Sequence, residues 1–305
     1  MPPPTAADSG FSGLVGLAVY LAIIAAAAFA GGSSVAFLAL THRTMQVLLS
    51  FTGGVLLGVG LLHLLPHAVL EFRGDVQTTM LWVTAGFFVM FLLERAFHGH
   101  AHHTADGGPE HHPHAHGESC GHAHRHGRQA GRWSWCGAFA GLTLHSLADG
   151  AALAASVGSD AAHGGGLLAG AATFLAILLH KPFDSGIIAT LMIEAGVSAR
   201  LRRIVIAAYS AVVPLGAFAF LGSLHLVGPQ QSAIVGPAMA MAAGAFICIA
   251  AADLLPEVQF HSHDAVLLTT SLALGLATAW GITALERTSH AHHVHAVLGS
   301  AAHGH

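Results

Sequence analysis

The sequence predicts an all-α integral membrane protein with eight transmembrane helices. Three observations carry that prediction. The 305 residues are 54% hydrophobic and only 9% charged, whereas soluble domains are about a quarter charged. Apolar runs long enough to cross a bilayer, which takes ~20 helical residues, recur eight times. Short segments rich in Arg, Gly, Pro or His separate them. Length alone would permit two soluble domains; this composition does not.

The runs fall at about 11–31, 46–70, 77–97, 133–157, 165–195, 203–225, 232–256 and 264–286. Ahead of the first, MPPPTAADSG has no positive n-region, so that run reads as a retained helix and not a cleaved signal. Pro66, Pro182, Pro214 and Pro256 fall in the second, fifth, sixth and seventh runs. A proline removes one backbone hydrogen bond, so each is expected to break or kink its helix. At Pro182 the carbonyl set free is that of Leu178. Cys136 and Cys248 lie within spans and read as small packing residues.

Four sections follow: helices 1–3 in 1–97, a connection in 98–132, helices 4–8 in 133–286, and a tail in 287–305. The connection holds eleven histidines in 29 residues: His98, His100, His102, His103, His111, His112, His114, His116, His122, His124 and His126. Such a tract cannot bury a core, and it reads as a disordered loop for weak, multi-site metal capture, with Cys120 as a further donor. His290, His292, His293, His295, His303 and His305 repeat the bias in the tail.

Arginines set the orientation. Arg43, Arg95, Arg125, Arg128, Arg132, Arg200, Arg202 and Arg203 attend the connections after spans 1, 3 and 5, against Arg73 and Arg287 on the other side. The positive-inside rule puts the first set in the cytoplasm and both termini outside. The expected location is a plasma membrane, the inner membrane in a bacterium.

Chemistry concentrates in two segments. HSLADG in the fourth span and HKPFDSG in the fifth each place His and Asp four apart, as His145/Asp149 and His180/Asp184. Residues four apart share a helix face. A lone His in an apolar helix is more often a hydrogen-bonded structural residue than a ligand. Two pairs of identical spacing on consecutive spans favour ligation, because a carboxylate at mid-bilayer costs ~2.5–3.5 kcal/mol without a partner. Two imidazoles and two carboxylates suit Zn²⁺, Fe²⁺, Mn²⁺, Co²⁺ or Cd²⁺, and argue against Mg²⁺ and Ca²⁺. The metal is expected as transported substrate, with no separate cofactor, at a site between the fourth and fifth helices.

Other polar residues in the spans are weaker candidates. His63 and His67, with Glu71, flank Pro66 and suggest an outer mouth for the ion path. Asp253 and Glu257 share a helix face and suggest a further part of that path or a helix-end role. Glu286, beside Arg287, reads as an outer-interface marker. The expected partners are a divalent ion and the lipid bilayer, a homodimer is the assembly considered, and no nucleic acid is expected.

At these residues the chain resembles the ZIP family of zinc and iron transporters. HSLADG and HKPFDSG look like its two signature segments, and GVLLGVGLLHLLPHA and GAFICIAAADLLPEV resemble further family segments in the second and seventh spans. The resemblance implies transport into the cytoplasm by alternating access. It implies that His145 and Asp184 belong to the central site, that His180 bridges, and that Ser146 and Asp149 line a neighbouring second metal position. Lys181 stands where a carboxylate is expected, and the sixth-span carboxylate of two-metal members has no match. A one-metal site with Lys181 near the vacant position is therefore expected. Two other readings are a cation-diffusion exporter, disfavoured by eight spans and a short tail, and a membrane-embedded zinc hydrolase, disfavoured because no HExxH occurs.

Overall fold

In hydrocarbon every backbone polar group must find a partner within the protein, and a helix supplies all of them locally. The computed structural model describes residues 6–35, 42–98, 134–162, 168–228, 231–260 and 265–302, and every regular element among them is helical. The helices are α1 (Ala6–Ser34), α2 (His42–Val59), α3 (Leu65–Glu71), α4 (Val76–His98), α5 (Ser134–Ala162), α6 (Ala171–Glu194), α7 (Ala199–Ser210), α8 (Val212–Val227), α9 (Ser232–Phe260) and α10 (Ala265–Ala302). A wide turn at Gly60–Leu64 joins α2 to α3, and Ala211 joins α7 to α8. Eight stretches are then long and apolar enough to cross a membrane: Gly13–Ser34, Arg43–Glu71, Val76–Arg95, Trp135–Ala161, Ala171–Glu194, Ala199–Val227, Ala233–Ala252 and Ala265–Glu286. Large apolar side chains such as Phe88, Phe218 and Trp280 remain exposed on the outside, where lipid tails would meet them.

Two of the four prolines mark breaks. Before Pro66 the helix widens by one residue, and the Leu65 N–H reaches back to the Gly60 carbonyl. Before Pro214 the sixth span divides at Ala211. Through Pro182, α6 continues. The expected break at Pro256 does not occur, and α9 runs from Ser232 to Phe260. That proline lies about one turn from the end of its helix, where little chain remains to be displaced.

Helix pairs organise the bundle. α1 packs on α6, α5 on α8, α2 on α10 and α4 on α9. Small residues make three of these crossings close: a side-chain carbon on Gly150 would strike the Val213 carbonyl, and one on Gly216 the Leu147 carbonyl. Gly54 with Gly275, and Gly86 with Gly244, do the same for α2–α10 and α4–α9. Close backbone approach is how apolar helices gain attraction where no water is expelled. α1 also packs on α5 and α7, and α2 on α9. Two groups result: α1 with α5–α8, and α2–α4 with α9 and α10. They meet where α5 and α6 face α2, α4 and α9.

A tight turn joins the second and third spans, with Arg73 at φ 55° and Gly74 at φ 87°. Asp75 caps α4, accepting from Thr78 N at 3.1 Å and Thr78 Oγ1 at 2.6 Å. Those hydrogen bonds hold its carboxyl below the ordinary carboxylate range.

Candidate metal site

Helical spacing delivers His145, Ser146 and Asp149 from α5 and His180, Lys181 and Asp184 from α6 to one buried point. His145 and Asp149 are each almost fully enclosed, and Lys181 has no exposed surface. His180 Nε2 lies 3.2 Å from Asp149 Oδ2 and 4.0 Å from Asp184 Oδ2. His145 Nε2 lies 3.3 Å from the same Asp149 oxygen, but outside hydrogen-bonding direction. His145, Asp149 and His180 each offer a ligand atom, all within 4.8 Å of one another.

The tautomer of His180 sharpens this picture. Its Nδ1 sits 2.8 Å from the Ala176 carbonyl, which only accepts, so Nδ1 carries the proton. In a neutral ring Nε2 then presents a lone pair toward two carboxylates. Acceptors facing acceptors in a dry interior need a cation between them, either a second proton or a metal ion.

One cation is already built in. Lys181 Nζ lies 2.5 Å from Asp149 Oδ2 and 2.7 Å from Asp184 Oδ2, so one ammonium ties together carboxylates of two helices. Tyr209 of α7 adds a third helix, donating to Asp184 Oδ2 at 3.3 Å and accepting from Ser146 Oγ at 2.8 Å. Ser146 therefore reaches the cluster through Tyr209. On another side, His145 and Asp149 line a cavity of about 380 Å³ walled by Met90, Leu93, Met241 and Phe246.

A second cluster lies farther along α5. His63 and His67 meet Asp160 of α5 and Glu286 of α10. His67 Nε2 is 3.2 Å from Asp160 Oδ1, and His63 Nε2 is 3.7 Å from Asp160 Oδ2. His63 Nδ1 is 3.1 Å from Glu286 Oε2, and His67 Nδ1 is 2.7 Å from the His63 carbonyl. Ser156 holds His63 Nε2 at 3.0 Å and accepts from Thr173 Oγ1 at 2.9 Å. Glu71 stands at the margin, accepting from Ser159 Oγ at 3.1 Å.

Sequence reasoning named His63, His67 and Glu71 for an outer mouth but missed Asp160, which completes their cluster. Glu286 is corrected: it is no surface marker, being 4% exposed and accepting from Ala172 N at 3.1 Å. Tyr209 was also missed. A signal for Asp160 was present, since Asp149 and Asp160 are eleven residues apart, close to three turns and hence on one face. The side chains of Asp253 and Glu257, His98 and the other loop histidines, Cys120 and the tail histidines lie outside the described residues.

Among curated proteins none matches the chain significantly. Residues 14–134 match the family described as ZIP zinc transporter. The matched stretch spans the first three helices and the histidine-rich connection and ends before His145, so it owes nothing to the two His/Asp segments. Over that stretch, about two fifths of its length, the chain is similar to the ZIP zinc transporter family.

Proposed function

We propose that this chain carries a divalent transition metal, Zn²⁺ before Fe²⁺, Mn²⁺ or Cd²⁺, into the cytoplasm through the cluster of His145, Asp149, His180 and Asp184. The observation that carries the reading is the pose of His180: Nδ1 is fixed by the Ala176 carbonyl while Nε2 faces the Asp149 carboxylate at 3.2 Å. Mixed nitrogen and oxygen donors suit borderline ions, and unlike a Cys₄ cage they release them.

Lys181 supports a one-metal site that lets go. While the ion is away, its ammonium neutralises the two carboxylates. When the ion arrives, ammonium and metal compete for the same oxygens, so affinity stays moderate and the ion can leave. Ser146 and Tyr209 orient Asp184. Every one of these residues belongs to the helix group of α1 and α5–α8. Sliding of that group against α2–α4, α9 and α10 would expose the cluster to each side in turn. The resemblance to ZIP transporters supports the cytoplasm as the destination, the arginine asymmetry marks which side that is, and the histidine-rich connection would receive the ion there.

Proteoliposomes loaded with a zinc-sensitive dye test the reading. Saturable, ATP-independent uptake of external zinc, absent from protein-free vesicles, is expected. Vesicles that take up no zinc while the protein binds it would contradict it.

A further inference from the structure

We infer that His63, His67 and Asp160 form a second divalent-metal site, with Glu286 as the outer partner of His63, at the junction of the two helix groups. Three lines of geometry meet there. His67 Nδ1 lies 2.7 Å from the His63 carbonyl, so it bears the proton, and Nε2 turns a lone pair toward Asp160 Oδ1 at 3.2 Å. His63 lies between two carboxylates: Nδ1 is 3.1 Å from Glu286 Oε2, and Nε2, which meets Ser156 Oγ at 3.0 Å, is 3.7 Å from Asp160 Oδ2. His67, held at Nδ1 by a carbonyl with Nε2 aimed inward, is posed as proteins pose metal-ligating histidines.

Burial supplies the second line. His63 has no exposed surface and Asp160 is 1% exposed, yet His63 Nδ1 and Asp160 Oδ1 make no directed hydrogen bond. At Asp160 Oδ1, a near but misdirected contact with His67 Nε2 leaves lone pairs that a shared ion would satisfy. His63, His67 and Asp160 each bring a donor atom to within 4.8 Å of the others.

The third line is charge. At the transport cluster Lys181 already occupies the carboxylates. Asp160 instead faces the imidazoles of His63 and His67 and accepts from the Gly170 N–H at 2.7 Å. Two nitrogens and a carboxylate, backed by a second carboxylate, suit a zinc-class ion and disfavour Mg²⁺ and Ca²⁺. The site is about 16 Å along α5 from Asp149, at 1.5 Å per residue. His63 and His67 belong to one helix group and Asp160 to the other, so an ion bound here ties the groups together.

Zinc binding to the purified full-length chain tests this. Zinc retained after gel filtration, and the rise in Tm that added ZnCl₂ produces, are compared in the wild type, Asp160→Asn, His67→Gln and Asp149→Asn. The histidine-rich connection contributes equally to all four. The proposal expects Asp160→Asn and His67→Gln each to retain one zinc per chain fewer than the wild type, with a smaller zinc-induced rise. Wild-type retention and shift in both variants would overturn it and leave these histidines as proton carriers. His67 is 16% exposed at its side chain, so His67→Gln decides the matter if Asp160→Asn fails to fold. Asp149→Asn separates the two sites: loss there alone supports the transport cluster and overturns this one, whereas loss in the other two alone does the reverse.

Discussion

The Lys181 ammonium rests 2.7 Å from Asp184 Oδ2, less than one turn along α6, with no exposed surface of its own. The same nitrogen contacts Asp149 of α5. A permanent cation inside a proposed cation site makes charge exchange the event that metal binding must accomplish.

Replacing that cation separates stability from binding. In Lys181→Met the Asp149 and Asp184 carboxylates lose their shared ammonium, and breaking a buried charge pair typically costs ~3–5 kcal/mol. The metal-free variant is expected to melt well below the wild type, and zinc is expected to raise its Tm by more than it raises the wild type's. Thermal melts with and without ZnCl₂ check this. An equal zinc response in both proteins would mean Lys181 does not compete with the ion.

Tyr209→Phe removes the hydroxyl that joins Ser146 to Asp184. Outer partners of ligating groups typically change metal affinity 10–100-fold. The apparent KM for zinc in proteoliposomes is expected to rise by about tenfold while the fold persists. An unchanged KM would remove Tyr209 from the site.

Acidification works in one direction. Protonated imidazoles have no lone pair to give, and protonated carboxylates attract metal weakly, so ion and proton compete. Zinc affinity is expected to fall steadily as pH is lowered. Isothermal titrations at a series of pH values would show this. Affinity that rises on acidification would contradict ligation by His145 and His180.

Packing gives a test apart from chemistry. Gly216→Leu drives a side chain into the Leu147 carbonyl, whereas a carbon added at Gly158 meets nothing within 4 Å. Overpacking of tight crossings typically costs ~1–3 kcal/mol or more. Gly216→Leu is expected to lower yield and Tm sharply, with Gly158→Ala near wild type in both.

The eight spans and the two His/Asp pairs were legible because both depend on local rules: span length against bilayer thickness, and four-residue spacing on one helix face. Asp160 was not legible as a ligand, because GSDAAH at the end of an apolar run reads as a span boundary. Its partners His63 and His67 lie more than ninety residues earlier, beyond the reach of any spacing argument. Glu286 was misread through its neighbour Arg287; only the packing of α10 against α2 turns it inward toward His63. Tyr209 hid in an apolar stretch as an ordinary aromatic. Pro256 showed the reverse limit, since a breaker near a helix end has little to break.

The most direct measurement is zinc uptake into dye-loaded proteoliposomes by the wild type, His145→Ala, Asp149→Asn and His180→Ala, reconstituted at matched density. The account predicts saturable uptake by the wild type and loss of at least ten-fold in each variant. Undiminished uptake in the three variants would place the ion's path elsewhere and contradict the central claim.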